Sequence, residues 1–295
     1  MTEIFGVPTQ ALFGQLLIGL INGSFYALLS LGLAVIFGLL NIINFTHGAQ
    51  YMMGAFVAYL LLNHFEVGYW WALLVAPIVV GATGMLIERT MLARLYKLDH
   101  LYGLLLTFGL ALIIQGLFRH EYGSAGLPYQ IPAQLQGGQN LGFMFLPNYR
   151  AWVIVASLAV CLGTWFVIER TKLGAYLRAA TENPALVQAF GINVPRMVTL
   201  TYGFGVALAA LAGVMAAPIY QVSPQMGADL IIVVFAVVVI GGMGSIMGAI
   251  VTGFGLGVIE GLTKVFYPEA SNTVIFIIMA IVLMIRPAGL FGTAK

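Results

Sequence analysis

The chain alternates long uncharged apolar stretches with short polar ones. No charged residue stands between Glu3 and Glu66, and none stands between Leu230 and Ile259. A membrane-crossing helix needs about 20 predominantly apolar residues, so the first stretch holds more than one. The pattern predicts a first span within 11–40 and a second within 48–62, with NIINFTHG (Asn41 to Gly48) between them. Further spans are predicted near 70–87, 101–118, 150–168, 199–217 and 272–286. The run 230–259 is interrupted at GGMGS, Gly241 to Ser245. It reads either as one long tilted span or as two shorter helices meeting at the glycines. Segment 119–149 is polar and rich in Gly and Pro, too irregular for lipid, and reads as an external or re-entrant loop. Trp70 and Trp71 are placed as interfacial anchors.

Composition sharpens this pattern. Of 295 residues, 61% are hydrophobic and 7% charged, against about 25% charged in a soluble domain. The expected fold is an all-α, polytopic integral membrane helical bundle of about 8–10 transmembrane segments. The largest soluble piece is too small to bury a core of its own, so 1–295 reads as one transmembrane domain. The N-terminus lacks the basic region of a cleavable signal peptide, which leaves the first span in the mature protein. The net charge of +2 comes with no basic face to grip phosphates, so nucleic acid is not an expected partner. Cys161 is the single cysteine and reads as a small packing residue.

Lys and Arg placement orients the chain. The loops 88–100 and 169–197 are both basic and are separated by two spans, so both fall on one side, expected to be cytoplasmic. This parity places the N-terminus outside.

The stretch Glu169 to Arg196 is the most charged window. Within it, Asn183 suits an N-cap and Pro184 the first helical position. Residues 185–190 fill about two turns, and Gly191 suits a left-handed C-terminal stop. Leu186 and Phe190 share a face. A helix this short needs a packing partner. It is either tucked under its own bundle or presented as a peg to another protein.

Two constellations fall inside the apolar regions. Asn41, Asn44, Thr46, His47 and Gln50 cluster where polar groups must face the bundle interior or a water-filled path. They either meet a polar solute on a translocation pathway or bond between helices. Gly242, Gly244 and Ser245 mark the second break. HGAQYMMGAFV (47–57) lies over GGMGSIMGAIV (241–251) with five identities in eleven, and the two elements are expected to face each other across the pathway. Gly244 and Gly248 form a GxxxG pair, which also fits plain helix packing.

No catalytic or metal set is evident. His64, His100 and His120 lie near span ends, and no phosphate-cradling GxxxxGK[ST] loop occurs. The chain is not expected to be an enzyme or to bind a cofactor. Asp229 and Glu260 read as solvated ends, which leaves the span interiors without an ionisable residue. Energy for uphill transport would then come from outside the chain. A passive polar-solute channel also fits the absence of charge, but it would have no use for a docking helix.

The pieces 19–56, IER at 87–89, TKLGAYLRAATENPALVQAFGINVPR (171–196), ALAGVMAAP (210–218), 238–261 and RPAGLFG (286–292) resemble the LivH-type permease subunits of bacterial branched-chain amino-acid ABC importers. The 171–196 stretch is similar to the cytoplasmic loop by which such permeases contact their ATPases, with Val187 where the family often has Ala. The resemblance implies that 169–196 is an ATPase-docking loop carrying a coupling helix. It assigns the docking to Gly174, Arg178, Ala179, Asn183, Pro184, Leu186, Phe190 and Gly191. It implies two cytoplasmic ABC ATPase subunits that bind the ATP, a second related permease and a periplasmic substrate-binding protein. It also implies a multi-pass chain in the lipid of the bacterial inner membrane. The implied cargo is leucine, isoleucine and valine, with urea or short amides as the other substrates carried by similar permeases.

Overall fold

The computed structural model describes residues 3–4, 6–40 and 43–292. Eleven α-helices are found among them: α1 (Thr9–Leu40), α2 (Thr46–Phe65), α3 (Tyr69–Thr90), α4 (His100–Tyr122), α5 (Asn148–Arg170), α6 (Lys172–Glu182), α7 (Pro184–Ala189), α8 (Val194–Tyr220), α9 (Met226–Gly241), α10 (Ile246–Phe266) and α11 (Val274–Ile285). Six regions are long and apolar enough to cross a membrane: 9–38, 69–94, 100–122, 148–170, 194–220 and 246–266. Each predicted span is a helix, and the chain is a multi-pass all-α membrane protein. α9 has 16 residues and α11 has 12. At 1.5 Å per residue these reach about 24 and 18 Å, short of a hydrocarbon core of about 30 Å. The loop 123–147 carries a hairpin of β3 (Gly138–Asn140) and β4 (Phe145–Pro147), after a smaller one of β1 (Glu3–Ile4) and β2 (Val7–Pro8) near the N-terminus. Leu127 and Val222 exchange backbone hydrogen bonds, which pins this loop to the end of α8.

α1 is the axis of the bundle. Over an apolar 18-residue window of each helix, 83% of the residues are buried in α1, against 17–28% in α3, α4 and α5. Glycines let other backbones reach it. A Cβ on Gly257 would lie 2.4 Å from the Cα of Gly23, and one on Gly253 would lie 2.5 Å from the Cα of Ala27. Gly19 and Gly261 continue this seam, so α1 and α10 run antiparallel with backbones touching. Gly32 meets Gly205 of α8 in the same way, and α8 takes α2 at Gly213 and Tyr51. In lipid the apolar driving force between helices is weak, and small residues of this kind supply the packing. The seam uses Gly253, Gly257 and Gly261 rather than the predicted Gly244–Gly248 pair. Gly248 packs against Gly241 and Gly244 against Gly38.

The GGMGS interruption resolves into two helices. Gly242 and Gly244 turn the chain at φ +102° and +84°. Ser245 Oγ accepts the N–H of Gly248 at 3.1 Å and caps α10. The RPAGLFG segment returns to the same place: Leu290 N–H donates to Ile240 O at 2.8 Å and Phe291 N–H to Gly241 O at 3.1 Å. Carbonyls at the end of α9 are thereby satisfied without water.

The reading of Glu260 is overturned. Glu260 is not a solvated end but 5% exposed. It accepts from Tyr26 Oη at 2.7 Å and Asn22 Nδ2 at 3.3 Å, and pairs with Lys264 at 2.5 Å. The apolar surroundings hide the fact that α1 brings it two donors from more than 230 residues away. Cys161 is buried and free, as a packing residue should be.

The α1–α10 seam predicts sharply different costs for neighbouring glycines. Gly257→Ala should cost about 1–3 kcal/mol, because the added carbon meets backbone. Gly255→Ala should be neutral or stabilising by up to about 1 kcal/mol, since nothing lies within 4 Å of its Cβ position. Melting of the two variants in mild detergent checks this, and equal shifts would refute the seam.

Candidate functional site

The loop 169–196 is built around a small core of its own. Leu177 and Ala180 of α6, Val187 of α7, and Val194 and Met197 of α8 are buried together. α6 was not foreseen as a helix, because its period is amphipathic where the spans are uniformly apolar. Gly174 is buried where a Cβ would lie 1.6 Å from the Ile168 carbonyl oxygen, so only glycine lets α6 fold back on α5. Arg178 secures the same corner: its guanidinium donates to Ile168 O at 2.9 Å and lies 3.6 Å from Glu169. That places a cation on the C-terminal carbonyls of α5, where the helix dipole favours it. Ala179 is exposed.

α7 has the anticipated ends. Asn183 Oδ1 accepts the N–H of Leu186 at 3.0 Å, Pro184 opens the helix, and Gly191 turns at φ +84°. A second Asn cap follows, with Asn193 Oδ1 accepting the N–H of Arg196 at 3.1 Å to start α8. Val187 holds α7 down. The face predicted to need cover is the one left open: Leu186 is 53% and Phe190 78% exposed. Leu173 and Tyr176 of α6 are exposed as well.

Beside this loop the ends of α3 and α8 are tied by a buried carboxylate. Glu88 is 2% exposed and accepts from Tyr96 Oη at 2.5 Å and from Thr199 Oγ1 at 2.6 Å. Desolvation, together with the adjacent Glu88, holds the Tyr96 phenol well above its usual range, so it remains a donor. Sequence reading treated Glu88 as part of a charged loop. Its only local signal is a carboxylate at the end of an apolar run. The same tie confirms that loops 88–100 and 169–197 lie on one side of the bundle, and both line a cavity of about 1140 Å³.

Deeper in, the break before α2 gathers polar groups. Asn41 lies outside the described residues. Asn44, Thr46, His47 and Gln50 are all at most 1% exposed. Asn44 Nδ2 donates to Gln50 Oε1 at 3.2 Å, Thr46 Oγ1 to Thr107 O at 3.3 Å, and His47 Nε2 lies 3.0 Å from Leu29 O. Tyr202 of α8, which sequence reading missed, faces the Gln50 and Asn44 amides. Asn44 Oδ1 and His47 Nδ1 find no hydrogen-bond partner among the described residues. Gly242, Gly244 and Ser245 are not part of this cluster. Gly48 seats on Gly227, near the start of α9, while Gly248 seats on Gly241 at its end. The two matched elements thus dock on opposite ends of α9, about 21 Å apart by helical rise.

The family described as branched-chain amino acid transport system, permease component, matches residues 15–283. The LivH permease of the high-affinity branched-chain amino acid transport system of Salmonella typhimurium is 30% identical, covering 99% of this chain and 98% of its own. BraD of Pseudomonas aeruginosa, of a system with the same description, is 30% identical over 94% and 95%. LivM of Escherichia coli, also a permease of such a system, is 28% identical over 92% of this chain and 68% of its own. No solved structure matches the chain.

The Asn183 cap makes a local prediction. Asn183→Ala should lower the stability of α7 by about 1 kcal/mol, a roughly fivefold rise in local opening. Native-state proteolysis should then cleave within 183–193 correspondingly faster. An unchanged rate would show that Val187 alone holds the helix.

Proposed function

The chain belongs to the permease family of branched-chain amino-acid transport systems, and on that premise we propose that it is the membrane-spanning subunit of an ABC importer for leucine, isoleucine and valine. It works with a related permease, two cytoplasmic ATPases and an external binding protein in the bacterial inner membrane. The observation that carries this reading is the α7 peg. It is capped at both ends and anchored by Val187, yet it turns Leu186 and Phe190 outward on the side of the basic loops. An exposed apolar pair on a fixed two-turn helix suits a groove on a partner protein.

The energy route follows from what α7 touches. ATP-driven closure of the partner subunits pushes α7. The shared core of Leu177, Ala180, Val187, Val194 and Met197 passes that displacement into α8. Thr199 carries α3 along through Glu88. Further up α8, Tyr202 moves against Asn44 and Gln50. Gly174 and Arg178 keep α6 on the end of α5, so the push is not lost in a loose loop. The unpaired amide and imidazole atoms at the α2 break then meet the polar ends of the solute when the path opens. The chain supplies no catalytic group to this process.

The double substitution Leu186→Asp with Phe190→Asp should abolish ATPase co-purification and reduce ATP-driven leucine uptake at least tenfold, while melting stays within a few degrees of the parent. Full uptake in that variant would sink the coupling role. Competition of labelled leucine uptake by urea, and not by isoleucine or valine, would sink the cargo assignment alone.

A further inference from the structure

The cavity between α3 and α8 has a divided wall. On the membrane side it is lined by Ala82, Met85 and Leu86 of α3 and by Leu200 of α8. Leu86 and Leu200 are each 63% exposed, so this wall continues into the lipid-facing surface of the two helices. At its cytoplasmic rim stand Arg89 and Arg196, from the last turn of α3 and the first turn of α8. Both arginines are exposed, and neither has an ion-pair partner among the described residues. Glu88 also reaches the cavity, but both of its oxygens are engaged by Tyr96 and Thr199. The lining carries one more positive than negative charge.

We infer that this groove is a binding site for one anionic phospholipid of the cytoplasmic leaflet, with its phosphate on Arg89 and Arg196 and its acyl chains along Leu86 and Leu200. Three observations select that occupant. The volume of about 1140 Å³ exceeds the roughly 300–1,000 Å³ of most small-molecule sites, so a free phosphate would leave it largely empty. The wall below the arginines belongs to the spans α3 and α8, at a depth that a cytosolic protein element could fill only by entering the membrane. Two unpaired guanidiniums where that wall meets the cytoplasm match a phosphodiester by charge and by fork geometry. Pro184 and Asn193 line the same cavity, so the bound lipid would buttress α7 from beneath. The site does not depend on the identity of the transported solute.

The test uses the purified full chain. Native mass spectrometry after exchange into mixed phosphatidylglycerol and phosphatidylethanolamine should show one retained phosphatidylglycerol. Arg89→Gln with Arg196→Gln should reduce that retention roughly 25-fold, at about fivefold per basic contact. Arg94→Gln with Lys97→Gln, an equal charge change outside the cavity lining, should leave it within twofold. Arg89→Lys with Arg196→Lys, which keeps the charge, should retain most of the binding and serves if the glutamine pair does not fold. Unchanged retention in the Arg89/Arg196 glutamine pair overturns the site. So does an equal loss in the Arg94/Lys97 control, or an equal loss of phosphatidylethanolamine. ATPase co-purification lost while phosphatidylglycerol retention is unchanged would make the groove a protein seat and also overturn it.

Discussion

Everything in this molecule hangs on backbones being allowed to touch. Lipid offers an apolar side chain nothing that another helix does not also offer, so helices associate through dispersion and fit. The α1–α10 seam reaches that limit, with Gly19, Gly23 and Ala27 against Gly253, Gly257 and Gly261. Once α1 is gripped on one side, Gly32 admits α8 on another, and α8 in turn admits α2. A single central helix is therefore surrounded by others at closest approach. The more peripheral α3, α4 and α5 keep their bulky apolar residues for the outside.

Close packing leaves little room for water, and the polar groups caught inside had to be accommodated by neighbours. Glu88 is met by two hydroxyls, and Glu260 by a phenol, an amide and one lysine. A buried carboxylate with several donors costs far less than a bare one. The cluster around Asn44 and Gln50 is handled differently. Some of its atoms are left without partners among the described residues, which is costly for packing alone.

Much of this was legible in the sequence because the signals were local. Uncharged run lengths placed the helices. Asn183, Pro184 and Gly191 marked both ends of α7, since capping depends on neighbours three or four residues away. Lys and Arg placement put two loops on one side, and Glu88–Thr199 joins them. What escaped reading depends on distant partners. Glu260 looked solvated because Tyr26 and Asn22 are remote in sequence. Tyr202 carries no sign of its neighbours Asn44 and Gln50. In a chain with 36 glycines, nothing local separates those in a seam from those facing open space. The matched segments 47–57 and 241–251 were real as helix starts, yet α9 holds them at opposite ends.

The return of residues 290–291 to the end of α9 has a mechanical meaning. Leu290 and Phe291 bond to Ile240 and Gly241, so the chain from 240 to 291 closes on itself, with α10 and α11 as its two limbs. A closed ring cannot pay out slack at its waist. Any displacement of α10 therefore carries α11 and the foot of α9 with it, as one stiff body keyed into α1.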